Sequence, residues 1–417
     1  MKKYIIITPT INYMGGAQMY VRNKILFCRE KGWETLVIAG QGGNVVIPEL
    51  KEFKNTFYEL NFPSYFYSKR VKNRILNKLI SLAKIKDNDE VIVESTGIAN
   101  STWAELLSSK TGAKHLFFLL QERNKVVNRG LQQFMKFKLE RREIAGIKKN
   151  SLSDMFRPFL VIDESESYRL SAKCNNVVEE VDSPLAKEID EKKYDFIVGL
   201  ISRLDKPFVQ PTVADFCSFT VKHPNKSFLF LVIGDAPTNT GITQDLKNQI
   251  KQYDNIDLIV TGYLYPIPLC LIRKCDVCLA SSGSTRVGER SGVPTISFDG
   301  NDLKPIGIIG KTTNSSLFRE AGQPIPKLGD LLNDILIIKI YQKEEPSFSS
   351  LRPDYHTHFD FIKASEKKKE YYNVNTIKRE TRDEKVVSVV LALIGAERYG
   401  RWREYQFSKW IKRTTIG

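Results

Sequence analysis

The chain has 417 residues, 42% hydrophobic and 27% charged, a globular mix with room for two domains of ordinary size. Two cores of that size need no disulfide or metal staples, and neither a solenoid repeat nor a low-complexity tract is present. The formal net charge of +15 asks for an anionic partner: nucleic acid, an anionic membrane surface or a phosphorylated substrate.

Met1-Lys2-Lys3 leads into Tyr4–Ile7, an apolar run too short for a secretory signal and better read as a buried first strand. The six cysteines then read as reduced thiols of a cytoplasmic protein. No apolar run reaches the roughly 18 residues a membrane-spanning helix needs. Strands are expected at Tyr4–Thr8, Thr35–Ala39, Val91–Glu94, His115–Leu120 and Phe159–Ile162, separated by helical patterns such as Ala17–Lys31 and Ser101–Ser109. This alternation predicts a parallel sheet covered on both faces. Pro184 to Asp195 is polar and reads as a linker. A second series follows, with strands at Phe196–Ile201, Ser227–Ile233, Ile256–Thr261, Val277–Ala280 and Thr295–Phe298. Gln342 to Glu384 is polar and reads as exposed helix and loop. A last helix is expected from Lys385 to about Ile411. The expected organisation is an N-terminal Rossmann-like domain (1–185), a second one (195–384), and a terminal helix (385–417) belonging with the first. Two such halves imply a cleft, with ligands at the carboxyl ends of the strands.

Three segments carry chemistry. Gly15 and Gly16, followed by Gln18, open a helix after the first strand and offer free N–H groups to an anion or sugar hydroxyl. Because this is not G-x-G-x-x-G, no nicotinamide dinucleotide is indicated. Arg203 and Lys206 follow the first strand of the second half, where they would neutralise a departing diphosphate. Ser282, Gly283, Ser284 and Thr285 end a strand and open a helix, a setting suited to phosphate oxygens, with Arg286 close by. Each has a plainer alternative: an ordinary tight turn, a pair of solvated charges, an N-cap serine. Cys275 and Cys278 form a C-x-x-C, but no second ligand pair accompanies them, and they read as part of a buried strand.

In this order the segments resemble the family 4 glycosyltransferases and their bacterial capsule and exopolysaccharide relatives, over about residues 1 to 310. Gly234 and Asp235 resemble that family's glycine-rich turn, Gly262 and Tyr263 its loop near the nucleotide base, and Ser291–Pro294 the step after its donor helix. The resemblance implies a GT-B fold: two Rossmann-like doubly wound α/β domains facing across a cleft, with a C-terminal helix crossing back. It further implies a metal-independent transferase with no cofactor, the nucleotide-diphosphate sugar being a substrate, and a saccharide or lipid-linked glycan as acceptor. The sequence departs from the family at its paired glutamates: Val287 stands where the second is expected, and Glu289 is the nearest carboxylate. The family's histidine after the fourth strand is replaced by Gln121-Glu122-Arg123-Asn124, where Glu122 would serve as a base or sugar ligand. Glu122 and Glu289 are thus the candidate catalytic residues, and their offset leaves room for a non-catalytic partner of another glycosyltransferase.

Ser68 to Lys86 patterns as a basic amphipathic helix, with Val71, Ile75, Leu79 and Leu82 on one face and Tyr65, Phe66 and Tyr67 ahead of it. That pattern suits peripheral attachment to the inner membrane face, or else packing on a core. The segment Arg401 to Arg413 interleaves aromatics with cations in a similar way. Nucleic acid is not expected, since no reader motif is present.

Overall fold

The computed structural model describes the chain except residues 13, 54, 121–125, 148–151, 153–154, 156–167, 175, 237–240, 348–352, 366–369 and 416–417, and describes only backbone for 407–415. It forms two compact units. The first comprises Met1–Cys174 with Arg352–Glu404, and the second Asn175–Leu351 with Tyr405–Gly417.

The elements of the first unit are β1 (Lys2–Thr10), α1 (Gly16–Glu30), β2 (Glu34–Gln41), α2 (Lys69–Ala83), β3 (Glu90–Ser95), α3 (Ile98–Thr111), β4 (Lys114–Leu119), α4 (Arg129–Glu140) and β5 (Ile144–Gly146). Their strands make one parallel sheet in the order β2-β1-β3-β4-β5. Alternate residues of a strand face opposite sides, so both faces of β1 need cover. Ile5 and Ile7 share a core with Leu79 of α2 and Trp103 of α3. Tyr4, on the opposite face, packs against Phe359.

The second unit contains β6 (Val178–Glu179), α5 (Pro184–Lys192), β7 (Phe196–Ile201), α6 (Val209–Val221), β8 (Phe228–Ile233), α7 (Ile242–Ile250), β9 (Ile256–Val260), β10 (Ile267–Pro268), α8 (Leu269–Lys274), β11 (Val277–Ala280), α9 (Thr285–Arg290), β12 (Thr295–Phe298), β13 (Pro305–Ile308) and α10 (Leu328–Leu332). Its main sheet runs β13-β12-β11-β7-β8-β9, parallel except for the β12–β13 pair. The strands are continuous apolar runs, as a sheet buried on both faces requires.

The remaining helices are α11 (His356–Ala364), α12 (Arg382–Ile394) and α13 (Ala396–Thr415). Four sequence expectations change here. Pro184–Lys192 is a helix rather than a linker: Pro184 sits in its first turn and the Ser183 hydroxyl accepts the Ala186 N–H. The division between units falls at Cys174/Asn175, ahead of 185–195. Residues 356–365 and 370–384, expected to lie exposed in the second domain, are anchored in the first. Tyr355 donates to the Ala172 carbonyl at 2.9 Å, the Tyr372 N–H to Glu105 at 2.7 Å, and Val374 and Ile377 join the core. The single terminal helix is broken at Gly395, whose φ of 82° ends α12.

Helix α2 forms as expected, its start capped by the Ser68 hydroxyl. Its apolar stripe, however, is spent internally: Ile75, Leu76 and Leu79 are buried in the core. The aromatic head is buried too, Tyr65 donating to Glu384 at 2.9 Å. What α2 leaves at the surface is polar: Lys69, Arg70, Arg74 and Lys78, with Asn73, Asn77 and Ser81 among them. No helix among the described residues is long and apolar enough to cross a membrane.

Candidate active site

In both sheets the chain starts at an inner strand, builds outward to one side, then crosses to the other side. The crossing point in the second unit lies between β7 and β11, because β8 and β9 extend one way and β11 and β12 the other. Register brings the exits of these strands level: Ala280 pairs with Ile201, and Ile201 with Ile233. The loops at Ser202–Lys206, Gly234–Asp235 and Ser281–Thr285 therefore leave one end of the sheet side by side. This is where doubly wound sheets bind ligands.

The Ser202–Lys206 loop is tightly held. Leu204 plugs into the core, and its N–H donates to the Asp235 carbonyl at 3.0 Å. Gly234 has φ of 147°, and a Cβ there would stand 2.0 Å from the Ser202 carbonyl oxygen. Only glycine permits that approach. Arg203 is bound by Asp205 through both carboxylate oxygens, each at 3.0 Å. Lys206 is exposed as a residue. Partial burial of its ammonium, and then the charge of Arg203, lowers it from the usual lysine range, with Asp205 acting the other way. The two expected cations thus come with a built-in counter-anion. Asp205 pre-orients the guanidinium and must share it with any diphosphate. The R-x-D spacing was the available sequence signal for this role.

The Ser281–Thr285 loop divides into engaged and open groups. Thr285 is fully buried, and its hydroxyl donates to the Ser282 carbonyl at 2.7 Å, so it is not available to a phosphate as expected. Ser282 adopts φ of 61° and gives its N–H to Ser316 at 2.6 Å. Neither Ser282 nor Ser284 caps a helical N–H through its side chain, which removes the plain N-cap reading. Gly283 faces open space, with no atom within 4 Å of where a Cβ would be.

Glu289 lies on α9, its two oxygens each 2.7 Å from the Arg286 guanidinium. Val287 on the same helix is buried, so the family's second glutamate position is a packing position here. Asp235 turns its carboxylate on its own loop, accepting from the Ala236 N–H at 2.7 Å and the Thr243 hydroxyl at 3.1 Å. Gly234 and Gly262 are bridged, which holds Tyr263 in the neighbouring loop. Gly292 has φ of 74°, and a Cβ there would stand 2.0 Å from the Glu344 carbonyl oxygen, so the turn after α9 also requires glycine.

In the first unit the crossing point lies between β1 and β3, and the loop after β1 carries Gly15 and Gly16. Gly15 starts α1 in extended conformation with no side-chain cap. Gln18 is buried and donates to the Thr10 carbonyl at 3.2 Å, so it braces the loop. Glu122 lies outside the described residues. Sequence reading missed a buried Ser95–His115–Glu105 chain, with 2.9 Å between Ser95 and His115 and 2.9 Å between His115 and Glu105. It has the order of a hydrolase triad, but all three side chains are fully enclosed, and Glu105 is also paired with Lys138. It braces β3, β4, α3 and α4.

Two Rossmann-like α/β units, the first completed by a returning C-terminal segment, define the GT-B fold. The chain is similar to a glycosyltransferase from Rickettsia africae, with TM-score 0.56 and 17% identity over 79% of this chain and 86% of that one. It is also similar to Anabaena HepE in complex with UDP and glucose, with TM-score 0.51 and 12% identity over 96% of this chain and 99% of that one. A HepE complex with UDP-glucose matches with the same TM-score, identity and coverage. No protein-family model and no curated protein sequence matches the chain.

Proposed function

We propose that this chain is a glycosyltransferase that takes its sugar from a nucleoside-diphosphate sugar. The observation that carries this is the meeting of Ser202–Lys206 and Ser281–Thr285 at the crossing point of the second sheet. Arg203, Lys206, Ser282, Gly283 and Ser284 would receive the diphosphate, with Gly234, Asp235, Gly262 and Tyr263 toward the base. Cations there stabilise charge that grows on the leaving diphosphate as the glycosidic bond breaks. HepE, of the same fold, binds UDP and UDP-glucose, which supports a nucleotide-sugar donor. The acceptor is a saccharide or lipid-linked glycan of cell-surface polysaccharide synthesis, and the setting is the cytoplasmic face of the membrane. This keeps the resemblance to family 4 transferases, including metal independence.

Titration of UDP into the protein tests the reading. Arg203→Ala or Lys206→Ala should weaken binding about tenfold or more while the melting temperature holds, as expected for a charge-assisted contact of about 1.5–3 kcal/mol. Unchanged affinity in both variants would overturn the site.

A second reading, a non-catalytic partner subunit, is favoured by the engagement of Glu289 with Arg286. Donor hydrolysis or sugar transfer by the purified chain alone would dismiss it.

A further inference from the structure

Helix α12 is apolar on two opposite sides. Its inner side is accounted for: Ser388 donates to the Phe66 carbonyl at 2.7 Å, Leu391 is buried in the core, and Glu384 receives the Tyr65 hydroxyl. At about 100° per residue, the far side carries Val386, Val389 and Leu393. These are 53%, 57% and 78% exposed, although a helix apolar all round belongs in an apolar medium. Among the described residues nothing covers this stripe.

The charges around it say what would. Arg382 and Lys385 stand exposed at the amino end of α12, with Lys378 and Arg379 just before it and only Glu380 and Asp383 as exposed acids among them. Helix α2 follows the same turn that α12 packs against. It carries five cations and no acid, and its Lys72 bonds Asn375 on the approach to α12. An apolar stripe bordered by cations matches an anionic lipid surface, where side chains enter the acyl boundary and cations meet headgroups.

We infer that the outer face of α12 is a membrane-docking surface: Val386, Val389 and Leu393 insert shallowly, while Arg382, Lys385 and the cations of α2 bind anionic headgroups. This deepens the membrane placement proposed above and moves the inserting element from α2 to α12. It does not depend on the donor site.

Flotation of the full chain with phosphatidylcholine vesicles, with and without phosphatidylglycerol, tests it. Wild type should float with the anionic vesicles. Val386→Asp/Leu393→Asp should bind them about tenfold more weakly or worse, because a carboxylate resists entry into the acyl region. Both substitutions are at exposed positions, so the melting temperature and UDP affinity should hold, and UDP titration reads the donor site separately. Should that pair misfold, Arg382→Glu/Lys385→Glu serves instead, with the same expected loss. Equal flotation of folded variant and wild type would overturn the inference. So would a wild type that ignores anionic vesicles, including one that light scattering shows to be a dimer split by Val386→Asp/Leu393→Asp.

Discussion

His358 and His115 are buried histidines with different neighbours. His358 lies among Tyr20, Phe118 and Tyr355, its Nε2 3.0 Å from the Ser171 carbonyl oxygen. Burial, then the charge of Lys24, pushes it down to about 2. His115 is lowered by burial and by Lys138, against the pull of Glu105. A histidine kept neutral in the fold takes up a proton only on unfolding. Its stabilisation is therefore present above the ordinary pKa of 6.5 and is lost as pH falls below it. Unfolding free energy should drop below pH 6.5 by up to about 1.4 kcal/mol per pH unit for each histidine. Denaturant melts at several pH values check this, and His358→Phe, which keeps a ring in place, should flatten the slope. Glu105 adds a second loss at lower pH: burial would raise it, but Lys138 and His115 hold it near 2. Breaking that network from the other side, Lys138→Met should cost about 3 kcal/mol, measurable by the same melts.

At the scale of elements, the candidate site depends on two loops held by a glycine. Gly234→Ala would drive a methyl into the Ser202 carbonyl, so the Ser202–Lys206 loop must move. UDP affinity should fall about as far as in Arg203→Ala, without either cation being touched, as read by the same titration. Helix α12 is fixed by a capping box: Thr381 accepts the Glu384 N–H at 3.1 Å, and the Glu384 carboxylate accepts the Thr381 N–H at 3.1 Å. Thr381→Ala should cost about 1 kcal/mol in thermal unfolding. Glu384 also receives Tyr65 and Asn128, so this short turn ties α12 to the α2 and α4 ends.

For the whole molecule, each unit has its own apolar core, so unfolding need not be a single event. Calorimetry should give a calorimetric enthalpy above the van't Hoff value, and saturating UDP should raise the transition of the second unit most. A single two-state transition, unmoved by UDP, would contradict both the separate cores and the nucleotide site.

The strands of both sheets were legible in the sequence because parallel strands buried on both faces are apolar runs that local composition marks directly. Val277–Ala280 and Thr295–Phe298 appear with the expected bounds. The three glycine- and serine-rich turns were legible for the same reason, each interrupting a run at a strand end. Phe159–Ile162 lies outside the described residues. Ile144–Gly146 and Pro305–Ile308 were missed, one too short and the other opened by a proline, to stand out as runs. What tertiary structure alone decided was where amphipathic surface goes. The sequence of α2 is equally suited to a bilayer or a core, and only the packing of Ile75 and Leu79 chose the core. Whether Arg203 stands free or paired, whether Thr285 points out or in, and which side of α12 is left over are likewise decided by neighbours distant in the chain. A side chain's chemistry is written in the sequence; its partner is set by the fold.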